Sequence, residues 1–514
     1  MAAQQLLSAN LDGFRARKVT VEVDLSPGLS AFKIVGLPDQ AVEEARERVS
    51  SALRNSNAKP PEHHNRRVTI NLAPADVRKH GTWFDLPIAL AFLLASRQIA
   101  LHETLIGRTL LVVGELGLDG TVRPVHGVLA AATLARELQA IFIAPEENRA
   151  EAMLIPDLTL LSASTLPQLI AALEKGEETV KSSGSPPAYP DDASDFDFGF
   201  IRGQQQAKRA LEIAAAGNHH ILMVGPPGAG KTLLARAFPT ILPPLVAEEM
   251  IEVTTIWSVA GLLHAERPLI TTPPFRSPHH SASRAALIGG GSGRASPGEV
   301  TLAHRGMLFL DELPEFPRHV LEALRQPIED GFVTVSRSEG AMTYPARFLL
   351  LAAQNPCPCG NATDPERECT CGAGEILRYR RRVSGPMLDR IDLTVEVPRV
   401  PFAELRSDQA AESSAAIRNR IIHARERQRK RFSALAFSTN AAMPPQILKE
   451  HCRLDERGEA MLKAAHERFR LSPRALTRLL KVSRTIADLA DSDTITPDHI
   501  AEAIQYRGAI QEEL

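Results

Sequence analysis

Residues Gly225, Pro226, Pro227, Gly228, Ala229, Gly230, Lys231 and Thr232 stand between an apolar run, Ile221 to Val224, and a segment with helical periodicity. The spacing is GxxxxGK followed by Ser or Thr, and a strand before with a helix after is the context it requires. Glycines let the backbone curl until its N–H groups face phosphate oxygens, and the following helix adds its positive end. Lys231 is expected to reach the β- and γ-phosphates of ATP, and Thr232 to ligate Mg²⁺. Downstream, Met307 to Glu312 reads as a buried strand ending in two acids. Asp311 is expected to hold Mg²⁺ through water, and Glu312 to polarise the attacking water as general base. A third apolar strand, Arg347 to Asn355, ends in a polar side chain, Asn355, placed to orient that water. The chemistry expected is ATP hydrolysis.

A second constellation is Cys357, Cys359, Cys369 and Cys371, with spacing CxC-x9-CxC. Four thiolates in a short hairpin suit tetrahedral Zn²⁺. Free thiols are the alternative. The fifth cysteine, Cys452, stands alone and reads as core.

Basic residues form the third. Residues 418–431 hold seven Lys or Arg and one acid, Glu426, so Arg425, Arg427 and Arg429 read either as a solvated helix face or as a phosphate track. Residues 331–348 read as a β-hairpin with Arg337 near its tip, and 252–263 as a helical insert carrying Trp257. No base-reading motif is visible, so any nucleic-acid binding is expected to be structure-selective or sequence-neutral.

The elements that position these groups divide into domains. Residues 176–195 are rich in Pro, Ser and Asp and read as a linker. Before it, residues 1–175 mix strands and helices: 19–25 and 67–73 alternate at period two, and a helix beginning near Asp39 places Val42, Ala45, Val49 and Leu53 on one face. After it, residues 196–400 alternate helices with short apolar strands, the pattern of a parallel α/β sheet, with the cysteine hairpin at 355–375. Residues 401–514 are almost purely helical. The net charge of -2 excludes a generally basic coat for nucleic acid, though not a local basic track. No signal peptide and no membrane span are expected, and five cysteines in 514 residues fit a reducing compartment. The location expected is cytoplasmic.

The order phosphate loop, Asp311-Glu312, Asn355, helical lid resembles AAA+ ATPases. In that family the hydrolysing site lies between subunits and takes an arginine from the neighbour. Arg390 in SGPMLDRIDL matches that arginine finger, although Asp389 and Asp392 offer it a structural ion pair instead. Arg474 in LSPRALTRLL is similar to a sensor-2 arginine. More closely, RGQQQAKRALEIAAAGNHH, FRSPHHSASRAALIGGG, NPCPCG and RYRRRVSGPMLDRIDLTVEVP resemble the ComM family, the competence-linked, magnesium-chelatase-like AAA+ proteins of bacteria. The resemblance implies a homo-hexameric ring that binds single-stranded and branched DNA and drives branch migration during recombination of incoming DNA. It also implies a Lon-protease-like (S5 domain 2-like) α+β fold for the N-terminal domain. The stretch Gly81 to Asp85 lacks the nucleophilic Ser of such proteases, and PVHGVLAAA lacks the lysine, so covalent catalysis is not expected there. The alternative function is an AAA+ remodeller of proteins or cofactors.

Overall fold

Alternating valines force the N-terminal sheet. In Arg15–Pro27 the side chains of Val19, Val21 and Val23 are buried, and in Arg66–Ala73 those of Val68, Ile70 and Leu72 are. The two strands pair antiparallel with Val21 opposite Leu72, so both apolar rows lie on one face. Each Val or Leu so buried contributes roughly 1.5–3 kcal/mol. The helix Gln40–Asn55 buries the four residues expected, and Asp39 caps it by accepting the Val42 N–H at 2.9 Å. The computed structural model describes residues 4–64, 66–176, 179–182, 196–264, 266–290, 296–337, 340–405, 411–435 and 437–511.

The N-terminal sheet has eight strands in the order Val180–Lys181, Thr159–Ala163, Ile141–Pro145, Leu110–Val112, Gln4–Asp12, Arg15–Pro27, Arg66–Ala73, Ala31–Val35. The strands that come first and last along the chain depart from expectation. Gln4–Asp12 is a strand although Ser8 and Asn10 interrupt its apolar pattern; Asn10 donates to the Arg78 carbonyl at 3.1 Å and accepts the His80 N–H at 3.2 Å. Val180–Lys181 lies inside the expected 176–195 linker yet pairs with Leu160 and Thr159, and Ser182 donates to the Leu158 carbonyl, so the N-terminal unit continues past residue 175. Residues 183–195 lie outside the described residues.

The second sheet is parallel throughout, in the order Phe275–Arg276, Met307–Leu310, Leu349–Gln354, Ile221–Val224, Leu393–Glu396. Met307–Leu310, Leu349–Gln354 and Ile221–Val224 are near-continuous apolar runs, as burial on both faces requires, while the edge strand Leu393–Glu396 ends in an exposed acid. Ile221–Val224 has a neighbour on each side, at the switch point beyond whose carboxyl end ligands bind in open α/β sheets. Helices Ser414–Arg431, Glu456–Phe469, Pro473–Leu489 and Pro497–Gln511 form the lid.

The two units share a core. Met250, Ile251, Val259 and Leu269, from and beside the helix Ala247–Val259, pack against the N-terminal hydrophobic cluster. At the same seam the Ser258 hydroxyl donates to the Glu151 carboxyl, which burial pushes up to about 7. Among the described residues no helix is long and apolar enough to cross a membrane.

Candidate functional site

The loop after Ile221–Val224 runs against the chain leaving the edge strand. A Cβ at Gly225 would lie 2.1 Å from the Val397 carbonyl oxygen, so only glycine fits there. Gly228 and Gly230 have φ of +77° and +93°, the left-handed region that glycine enters without strain. Gln204 clamps the loop from outside, donating to the carbonyls of Ala229 at 3.1 Å and Pro398 at 2.6 Å.

Lys231 opens the helix Lys231–Ala237 and is buried. Its ammonium donates to the carbonyls of Gly225 at 2.6 Å and Pro226 at 3.0 Å, and to Asn355 Oδ1 at 3.1 Å. Burial holds its pKa below the usual lysine value. The Thr232 hydroxyl donates to Asp311 Oδ2 at 2.8 Å. Lys231, Thr232, Asp311 and Asn355 thus meet at the carboxyl edge of the sheet, drawn there from three strands. Thr232 and Asp311 offer adjacent oxygens of the hard type that Mg²⁺ takes.

Glu312 is turned by its own backbone. Its φ is +51°, a left-handed conformation that costs a non-glycine residue roughly 1–2 kcal/mol. Its carboxylate lies 3.3 Å from His280 Nδ1, and the His280 ring lies tilted against that of His279 with centroids 4.1 Å apart. Neither His280 nor Gln204 was expected at the site. The signal for His280 is its place just beyond Phe275–Arg276, whose carboxyl end faces the same edge as Met307–Leu310.

The two candidate arginines lie elsewhere. Leu393–Glu396 runs parallel to Ile221–Val224 in register, so Arg390, three residues before that strand, sits at the amino edge of the sheet. Four strand residues, about 13 Å, separate that edge from the phosphate loop. Arg390 pairs with Glu329 at 2.7 Å, and Arg474 pairs with the other oxygen of the same carboxylate. Burial pulls the Glu329 pKa up, but the Arg390 hydrogen bond and both guanidinium charges outweigh it and leave it below the ordinary value. The neighbours Asp389 and Asp392 are not the partners of Arg390; Asp392 pairs with Arg478.

The cysteines converge. Their four Sγ atoms all lie within 4.8 Å of one another, with Cys357 3.4 Å from Cys359 and Cys369 3.6 Å from both. A disulfide needs about 2.05 Å. Zn–S bonds of about 2.3 Å give a tetrahedral edge of about 3.8 Å, so the separations fit a zinc-binding thiolate set. Backbone N–H groups of Asn361 and Thr370 aim at Cys359 and lower its pKa to about 5, favouring the thiolate a metal needs. The knot touches the phosphate loop: a Cβ on Gly360 would lie 2.4 Å from Pro227 Cδ.

The expected DNA residues separate. Trp257 is half-buried: its Nε1 donates to the Leu302 carbonyl at 3.2 Å and its ring lies 5.5 Å from the Arg276 guanidinium. Arg425 donates twice to the Ala215 carbonyl, and Arg427 pairs with Asp493; Arg429 alone of the three is exposed. The free phosphate track expected there is thus reduced, because two of its arginines join the lid to the core and to itself. Arg337 ends one strand of the hairpin Phe332–Arg337 and Gly340–Pro345, opposite Gly340. Its side chain lies outside the described residues, as do residues 338–339 at the tip.

The chain matches the family described as magnesium chelatase, subunit ChlI, over residues 197–405, its C-terminal family over 411–507, and subunit ChlI of Mg-chelatase over 21–148. It is 42% identical to competence protein ComM of Haemophilus influenzae over 508 residues, covering 97% of this chain and 96% of that protein. It is 43% identical to YifB of Escherichia coli over 496 residues, 96% of this chain and 95% of that protein. The magnesium-chelatase 38 kDa subunit of Rhodobacter capsulatus is 26% identical over 264 residues, 45% of this chain and 69% of that subunit. Likeness along nearly the whole length, through both sheets and the lid, means that the chain belongs to the ComM family of magnesium-chelatase-like AAA+ proteins.

Proposed function

We propose that this chain is an ATP-driven DNA motor that works as a closed ring of six copies and moves branch points in paired DNA during recombination of incoming DNA. The observation that carries the reading is the split of the site across the sheet: phosphate loop, Asp311, Glu312 and Asn355 on one edge, Arg390 and Arg474 on the other. A nucleotide held by Lys231 then needs the arginine edge of a second copy. The competence protein among the relatives supports DNA as the partner.

In this reading Lys231 exchanges its loop carbonyls for β- and γ-phosphate oxygens. Thr232 and Asp311 would hold Mg²⁺, which would neutralise charge on the phosphates. Glu312 takes the proton of the attacking water, which forms a bond to the γ-phosphorus as the bond to the β-bridging oxygen breaks; ADP and phosphate leave. Asn355 orients that water. Arg390, with Arg474 beside it on Glu329, supplies positive charge in trans. The cysteine knot holds structural zinc and supports the phosphate loop through Gly360. Arg337 and Arg429 are the DNA contacts retained.

The test is ATP turnover of the purified chain with and without branched DNA. Stimulation by DNA, abolished by Lys231→Ala, supports the motor. Turnover indifferent to every DNA and stimulated by a protein partner instead would replace it with the remodeller.

A further inference from the structure

Arginines gather where the turn after Glu312 meets the helix after the cysteine knot. Arg318, Arg378, Arg381 and Arg382 line a groove of about 480 Å³ walled by Pro314 and Phe316. Arg318 also lines an adjoining hollow of about 670 Å³, together with Arg284 and His319. All five arginines are exposed, so no packing role explains them. The two acids that line these spaces are engaged: Glu315 by Arg382 at 2.7 Å, and Glu322 by Arg325 at 2.8 Å. Arg318 also acts on the charge of Glu322, four residues along its helix, whereas Arg284, Arg378 and Arg381 make no ion pair among the described residues. Unpaired guanidinium groups sharing one groove repel, by up to about 1 kcal/mol for a pair at contact in water. An anion removes that repulsion.

We propose that this groove binds the phosphodiester backbone of a nucleic-acid strand. The inference rests on the DNA-motor reading and names a site for the strand that such a motor holds. Three features select a phosphate chain. The guanidinium fork matches a phosphate with two parallel N–H donors. The cations follow one another from Arg284 through Arg318 to Arg378 and Arg381, across two hollows that share Arg318, which suits a repeated anion. No Asn or Gln that reads base edges lines either hollow, so the contact is indifferent to sequence.

The position ties the strand to hydrolysis. The groove wall begins two residues after Glu312, and Arg382 bridges to Glu315 on that turn. On the other side, Tyr379 is hydrogen-bonded to the Asn355 backbone, and Arg382 lies 5.8 Å from its ring. A strand in the groove presses on both the Glu312 turn and the Asn355 segment.

The experiment compares wild type, Arg318→Ala/Arg378→Ala and Arg318→Lys/Arg378→Lys in the full chain. Binding to labelled oligothymidine is followed by fluorescence anisotropy across a salt series, with DNA-free turnover and ring assembly measured alongside. The alanine pair is expected to weaken binding by about tenfold or more and to flatten the log–log salt slope by about 1.4, the value for two lost phosphate contacts on a single strand. The lysine pair should keep most of the slope, since it keeps the charges. Wild type that binds while the alanine pair binds equally, with the same slope, overturns the groove and leaves the motor reading standing. Wild type that binds no DNA overturns both. Loss of assembly or of DNA-free turnover in the alanine pair assigns these arginines to a neighbouring subunit and also overturns the proposal.

Discussion

At Glu312 the backbone is strained and the carboxylate faces His280 rather than solvent alone. Glu312→Gln is expected to keep ATP binding and to lower turnover by a factor of roughly 10²–10⁴, the usual contribution of a general base; Lys231→Ala should lose binding itself. Equilibrium binding of a fluorescent nucleotide beside single-turnover hydrolysis separates the two. Arg390→Ala should bind nucleotide normally and lose on the order of 10³ in rate, as arginines acting in trans do. Mixing it with Lys231→Ala subunits should restore some turnover, because hybrid interfaces combine an intact loop with an intact arginine. No recovery in any mixture would count against the split site. Lys231, Thr232 and Asp311 were legible because each motif is local in sequence. His280 and Glu329 were not, because their partners come from elements far along the chain, and only the folded sheet brings them within reach.

At the scale of elements, the cysteine knot makes the sharpest prediction. About one zinc ion per chain should copurify with reduced protein, the content of a closed four-thiolate site. Cys369→Ser should abolish it, and elemental analysis reads both. Because Gly360 rests on Pro227, metal loss should also weaken ATP binding before it affects the remote N-terminal sheet. Unchanged nucleotide affinity in metal-free protein would sever that link. The apolar parallel strands and the alternating pair 19–25 and 67–73 could be read directly, since burial on two faces or one sets their composition. Gln4–Asp12 was hidden by the buried Ser8 and Asn10; the fold satisfies Asn10 with partners far along the chain, at Arg78 and His80. Phe275–Arg276 and Val180–Lys181 are two residues each, too short for any period to register.

For the whole molecule, the N-terminal unit and the ATPase core meet at a seam that contains the half-buried Glu151. Its carboxyl stays protonated up to about 7, above its ordinary 4.5, so the stabilisation is full below about 4.5 and is lost as pH rises through about 7. The difference corresponds to about 3 kcal/mol. Glu151→Gln, which keeps the shape without the charge, should raise the unfolding midpoint at pH 8 and match wild type near pH 4.5. Equal midpoints at both would remove Glu151 from the seam's energetics. The central claim concerns movement of DNA. Exchange of paired strands at a junction is nearly balanced, since stacking of roughly 1.4 kcal/mol per step is made as it is broken, so ATP imposes direction and speed. The most direct measurement is strand exchange on a labelled four-way junction with the purified chain and ATP. The account predicts exchange that requires hydrolysis and disappears with Lys231→Ala and with Glu312→Gln. Exchange that runs equally well with Lys231→Ala, or none from a wild-type ring that hydrolyses ATP, would contradict it.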